Sequence, residues 1–424
     1  MHELKKTALF CIVAAVLAAA AVVIDPGAAT PDLLSDQGEL FYPEFTDPQA
    51  PKAIEVVAYD EDTATARPLK VEFRDNKWLI PSHHAYPADA ENRLAKTAAA
   101  LMELKKDIIV SDNVDDQAEY GVIDPLDQAA TSLVGRGKRV TLRDAEGKAL
   151  ADFIVGKTVA DKPGYRYLRV PGQRRTYAVQ TDADVSAEFQ DWIETNLLKL
   201  TSGDVRKVVI NRYSINERMG TLENMERLAL AKADGKWTIG GGGAPSQSKM
   251  DELTGALEKL RIVDVQPKPE GLSRDLKTTK GIQLTAESFH SLRGHGFFIN
   301  QFTGQLLSNE GEITVETANG LQYTLRFGEI AGGGASSSQQ APAEAPAEGA
   351  AEKKPTEEGE RRYVFITVDY SKERAQQYAG EGKEPDKKGQ ELADELRARF
   401  ADWYYVISGA DFNKLRPGRR DLRG

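Results

Sequence analysis

Ser246 and Lys249 are the residues whose types and spacing come nearest to a reactive pair. In "GGGGAPSQSKMDEL" they stand three apart at a helix start, so one helical turn would bring the lysine amine close enough to take the serine proton. Acyl-transfer enzymes built this way also need SxN and KTG elements later in the chain. Ser111-Asp112-Asn113 supplies the first literally but precedes the SxxK pair, and Lys277-Thr278-Thr279 lacks the glycine that lets substrate lie against a strand. Ser246 as a helix N-cap explains the same serine without catalysis. Gly240–Gly243 invite a phosphate-cradle reading, but no lysine-hydroxyl pair completes the P-loop pattern, so they read as a flexible strand-to-helix connection.

Metal chemistry finds no better footing. His83 and His84 are adjacent, and His290 and His295 are five apart with no motif behind the spacing, whereas zinc needs three or four convergent ligands. Asp60-Glu61-Asp62 and the run Asp112–Asp116 lack the order of a calcium loop. Cys11 is the only cysteine, which removes an intrachain disulfide and a CxxC redox pair. A net charge of −10 argues against a dedicated nucleic-acid binder. No catalytic, cofactor-binding or metal-ligating residue is assigned, and a non-enzymatic protein without cofactor is expected.

The elements that position these residues begin with an apolar run. Thr7–Ile24 carries no charge, follows Lys5-Lys6 and precedes Asp25-Pro26, the pattern of a single membrane-spanning anchor with the bulk of the chain outside the cytoplasm. A signal peptide cleaved near Gly27-Ala28-Ala29 is the rival reading. Residues 25–51, rich in Pro, Asp and Gly, read as a linker. A strand over Ala53–Asp60 follows, then a hairpin in which Leu69, Val71 and Phe73 alternate, Asp75-Asn76 turn, and Trp78 and Ile80 alternate again. "YPADAENRLAKTAAALMELKK" opens a helix from Pro87, with Leu94, Ala98, Leu101 and Leu104 on one face.

The same order then recurs. "VRKVVINRY" is a strand, Leu228 and Leu230 alternate, Asp234-Gly235 turn, Trp237 and Ile239 alternate, and a helix runs from about Ser246 to Leu260. "KRVTLRDAEGKALADFIVG" resembles "GEITVETANGLQYTLRFG", "YRYLRV" resembles "RYVFITV", and "FQDWI" (Phe189–Ile193) resembles "FADWY" (Phe400–Tyr404). The four tryptophans, Trp78, Trp192, Trp237 and Trp403, fall into two matched pairs, as core packing would require. The fold class expected is α+β, with an N-terminal transmembrane helix (a cytoplasmic stub and anchor over residues 1–24) followed by two tandem duplicated sheet-plus-helix domains. They cover 52–204 and 205–424, the second interrupted by an Ala/Pro/Glu-rich insert, 331–360, too poor in apolar residues to order itself. The ending "KLRPGRRDLRG" is a basic tail, a solvated end unless anionic lipid or an acidic partner uses it.

The anchor, the W-x-I strand, the helix introduced by Tyr86-Pro87-Ala88-Asp89, "YGVIDP" (Tyr120–Pro125), Gly156-Lys157 and "FADWYYVIS" together resemble the DUF4340 family of bacterial envelope proteins. That resemblance implies a single-pass protein of the inner membrane, often encoded beside ABC transporter components, and no catalytic residues. The expected role is an auxiliary or scaffolding partner of an ABC-type transporter or envelope complex. Two alternatives stand beside it: a ligand- or ion-sensing module using a cleft between the domains, and a serine hydrolase using Ser246 and Lys249.

Overall fold

The computed structural model describes residues 36–181, 185–216, 221–278, 281–300, 303–332, 360–379 and 388–423. Among these residues nineteen strands and several short helices follow one another. The first strands are β1 (Ala53–Asp60), β2 (Thr65–Arg74), β3 (Lys77–Ile80), β4 (Tyr86–Pro87) and β5 (Ile108–Ser111). Then come β6 (Lys138–Arg143), β7 (Ala149–Thr158), β8 (Tyr165–Arg169), β9 (Thr176–Gln180), β10 (Val205–Asn216), β11 (Thr221–Ala233) and β12 (Lys236–Ile239). The last are β13 (Asp264–Pro267), β14 (Phe297–Ile299), β15 (Leu306–Ser308), β16 (Glu312–Thr317), β17 (Leu321–Ile330), β18 (Arg361–Tyr370) and β19 (Trp403–Ser408). Two compact units result, Met1–Lys70 with Glu91–Ala187 and Val71–Ala90 with Glu188–Gly424.

One sheet has the order β4-β3-β2-β1-β6-β7-β8-β9-β5, the other β12-β11-β10-β16-β17-β18-β19-β13. Apart from β4 the two orders correspond strand for strand, and the neighbouring strands pair antiparallel. Alternation explains the strands: in β16 Ile313, Val315 and Thr317 are buried while their neighbours are not. Spacing of three and four explains the matching helices. Glu91–Met102 buries Leu94, Ala98 and Leu101, and Gln247–Glu258 buries Met250, Leu253, Thr254, Ala256 and Leu257. Both β2–β3 and β11–β12 close on two residues of positive φ, Asp75-Asn76 and Asp234-Gly235, as a tight hairpin requires.

Each copy also takes in a segment ahead of its first long strand. Phe41 N donates to Leu104 O at 3.1 Å, and Leu197 N to Leu260 O at 3.1 Å. Lys106 N donates to Glu39 O, and Ile262 N to Thr195 O, in the same crossed pattern. A one-residue bulge recurs as well, between Val155 and Thr158 on β7 and between Phe327 and Ile330 on β17. Inside it lie Gly156 and Gly328. An added Cβ would stand 2.4 Å from Tyr120 O in the first and 2.1 Å from His295 O in the second, so only glycine lets those carbonyls approach.

Several expectations are corrected. The membrane-spanning helix expected at Thr7–Ile24 lies outside the described residues, and among the described residues no helix is long and apolar enough to cross a membrane. The longest, Lys388–Ala401, has 14 residues against about 20 for a bilayer span. Among the described residues the fold is therefore α+β, two large antiparallel sheets with short helices and no membrane-spanning one. The first helix starts at Glu91, because Tyr86 and Pro87 pair with Ile80 and Leu79 as β4.

The landmark pair "FQDWI" and "FADWY" is not equivalent. Phe189–Trp192 is a turn after β9, whereas Phe400 ends a helix and Trp403 opens β19. Its counterpart is Arg419–Leu422. Asp191 N donates to Glu188 O as Asp421 N does to Gly418 O, and Trp192 O and Leu422 O accept from Asp89 N and Ser246 N. Most of the Ala/Pro/Glu-rich insert, 333–359, lies outside the described residues; the strands flanking it, β17 and β18, pair with each other.

Candidate functional site

The glycine stretch ahead of Ser246 is a closed turn. Gly241, Gly242 and Gly243 all have positive φ. Gly240 N donates to Ala229 O, Gly242 N to Ile239 O, and Ile239 N to Gly243 O. The amides of Gly240 and Gly242 are thereby committed to backbone carbonyls and do not join a phosphate cradle. Arg419 lies along the turn, its guanidinium donating to Gly240 O. Ser246 holds the N-cap position of Gln247–Glu258 but makes no side-chain capping bond; its Oγ meets Ser248 Oγ at 2.9 Å. Lys249 Nζ pairs with Glu252 at 2.9 Å. The structure thus gives the two residues separate partners rather than joining them.

The other candidates also have structural partners. Asn113 caps Asp115 N, Ser111 Oγ donates to Asp116, and Asp112 takes a bidentate bond from Arg175 that holds its carboxyl below the ordinary range. The Asp112–Asp116 run is a capped turn latched to β9. His83 stacks on Phe189 with centroids 4.3 Å apart, and His295 stacks on Tyr404 while its Nδ1 meets Ser291 O. Burial depresses the pKa of both imidazoles. Among the described residues no three or more His, Cys, Asp or Glu side chains gather as metal ligands. Trp192 and Trp237 are core, while Trp78 packs against Phe73 with the two rings tilted at 57°.

What the structure does assemble is a loop in the first unit. "YGVIDP" leaves the helix Gln117–Tyr120 at Gly121 and runs to Pro125, and Gly156-Lys157 of the bulge lies against it. Lys157 Nζ donates to Glu119 O at 2.9 Å. Three arginines then fix the path. Buried Arg169 donates Nε to Val122 O at 2.8 Å. Arg139 reaches Asp124 Oδ2 at 3.0 Å while holding Asp152 with two bonds. Arg136 spends its whole guanidinium on backbone: Nε on Ser132 O, one terminal nitrogen on Asp124, Pro125 and Asp127 carbonyls, the other on Ala130 O. Its plane covers the Tyr59 ring at 4.7 Å.

Ile123 and Arg136 form a bridge at the neck, so Asp124 to Gly135 is an Ω-shaped loop with its ends together. Leu126, Leu133 and Val134 are 48%, 54% and 60% exposed on it. The second unit treats the same stretch of chain differently, with a hairpin of β14 and β15 that buries Phe297 and Leu306.

The sequence reading singled out "YGVIDP" and Gly156-Lys157 but not Leu126, Leu133, Val134 or Arg136. The usable signal was the pair Leu133-Val134 standing in a strandless stretch and followed directly by Gly-Arg. No curated protein and no solved structure matches the chain. Residues 78–275 match the family model of DUF4340, a domain of unknown function. The matched region starts at the hairpin strand of Trp78, takes in the whole Ω-shaped loop, and ends within the second copy. The chain is a DUF4340 domain-containing protein.

Proposed function

We propose that this protein is a non-enzymatic auxiliary subunit of the cell envelope that works outside the cytoplasm and docks through the Asp124–Arg136 loop onto an apolar surface of a partner. An ABC-type transporter component is the first candidate, on the association that the family resemblance carries. The observation behind the docking reading is the combination of rigid backbone and exposed apolar tip. A loop whose carbonyls are tied by one guanidinium loses little entropy on binding. Fully covering a Leu or Val side chain is worth about 1.5–3 kcal/mol, so three half-exposed ones leave roughly 2–4 kcal/mol for a partner to supply.

The test places a photo-crosslinking amino acid at Val134 in the full chain and recovers adducts from native membranes. A transporter or other envelope subunit crosslinked at Val134 and lost in Leu133→Asp supports the reading. Absence of any adduct at Val134, with adducts from a control position on another surface, overturns it. Arg136→Ala should weaken recovery tenfold or more and expose the loop to protease, since it leaves five carbonyls without their donor.

A further inference from the structure

The second unit contains a cavity of about 250 Å3 that the docking reading does not use. It lies between β18 and two helices, Glu270–Thr278 and Lys388–Ala401, with Leu276, Ile282, Val368 and Phe400 as apolar wall. The frame shared by the two copies does not build it. Between β8 and β9 the first copy has only residues 170–175, whereas between β18 and β19 the second has the helices Lys372–Ala379 and Lys388–Ala401. Where the second copy has Glu270–Thr278 after β13, the first has the short turn Val114–Asp116 after β5. The cavity is thus walled by elements added to one copy.

Its charge is uneven. Among the described residues Arg397 is the cation in the wall, and it is already committed: Nε to Val368 O, one terminal nitrogen to Asp394 at 2.8 Å, the other to Asp369 at 3.4 Å. Asp275 also lines the cavity and is 3% exposed. Its Oδ2 accepts from Gln283 N at 2.7 Å. Its Oδ1 has no hydrogen-bond donor among the described residues, and Arg274 Nε stands 3.9 Å from it. A carboxylate so little exposed, with one oxygen unbonded and facing a cavity with apolar walls, suits a donor with positive charge.

We propose that this cavity binds a small organic ammonium, its N–H donating to Asp275 Oδ1 and its compact apolar body resting on Leu276, Ile282 and Phe400. An anion would be repelled by that carboxylate, and a neutral hydrocarbon would desolvate it without offering a donor. The volume admits one ring or a short branched chain.

Calorimetric titration of the full chain with benzylammonium, and with benzyl alcohol as its neutral counterpart, tests this. Benzylammonium should bind at least tenfold more tightly than the alcohol, and Asp275→Asn should lower its affinity at least tenfold. The asparagine oxygen still accepts from Gln283 N, so the variant is expected to fold. If it does not, Ile282→Trp decides, because it fills the cavity and keeps the carboxylate. Binding that survives Ile282→Trp, equal affinity for the alcohol, or no benzylammonium binding to the parent chain overturns the proposal.

Discussion

The two strand-to-helix connections, Pro81–Ala90 in the first copy and Gly240–Ser246 in the second, solve one problem with different materials. In both, a residue within two of the helix start gives its amide to the turn that follows the last long strand: Asp89 N to Trp192 O at 2.8 Å, Ser246 N to Leu422 O at 2.7 Å. Over that shared bond the first copy stacks His83 on Phe189, and the second lays Arg419 against the glycine turn. The longer first connection also adds β4, which covers the edge of β3; the shorter second one leaves β12 at the end of its sheet. The comparison teaches that the frame is set by backbone bonds and core positions, while connections diverge freely. Features added to one copy alone, the Ω-shaped loop tip and the Asp275 cavity, are therefore where function is best sought.

The largest expected effect probes what the copies share. Gly156→Ala and Gly328→Ala each drive a methyl into a backbone carbonyl, and each should cost about 4 kcal/mol, read as matching falls in the denaturation midpoint. A large loss at one glycine and none at the other would break the equivalence of the two bulges.

Next comes a residue the second copy's added helix holds. Lys268 is buried, donates to Phe400 O at 2.8 Å and faces the Phe365 ring at 3.9 Å. Burial pushes its pKa down to about 7, against 10.5 in the open chain. Between those values the unfolded chain binds more protons than the fold, so stability rises with pH from 7 to 10.5 and is flat in this group below 7. Lys268→Met should stabilise by about 2–3 kcal/mol at pH 7, the relieved charge cost offset by one lost hydrogen bond, and should flatten that rise. Denaturant melts at pH 7, 8 and 9 give the answer; an unchanged slope would show the amine to be charged in the fold.

The connections themselves give smaller numbers. His83→Ala should cost about 1 kcal/mol through its ring stack. Because burial lowers the His83 pKa, its contribution is present above the unfolded value of about 6.5 and lost as pH falls through the lower folded one. The variant should lose that acid sensitivity, measured as the difference in melting temperature between pH 7.5 and pH 5. Ser246→Ala should change stability by less than about 0.5 kcal/mol, since its hydroxyl caps nothing. Thr285, whose Oγ1 does accept from Ser288 N, is the positive control at about 1 kcal/mol.

The sequence by itself determined the local frame: which runs alternate, where Asp75-Asn76 and Asp234-Gly235 turn, which face of each matching helix is apolar, and that the order of elements repeats. These are legible because period and turn chemistry act within a few residues. Strand pairing across the sheets, the true counterpart of Phe189–Trp192, and the separation of Ser246 from Lys249 were decided only by tertiary structure. So were the closing of Arg136 over the carbonyls of its own loop and the cavity that Asp275 shares with Phe400. Each depends on which distant backbone arrives beside a side chain, and no spacing along the chain encodes that arrival.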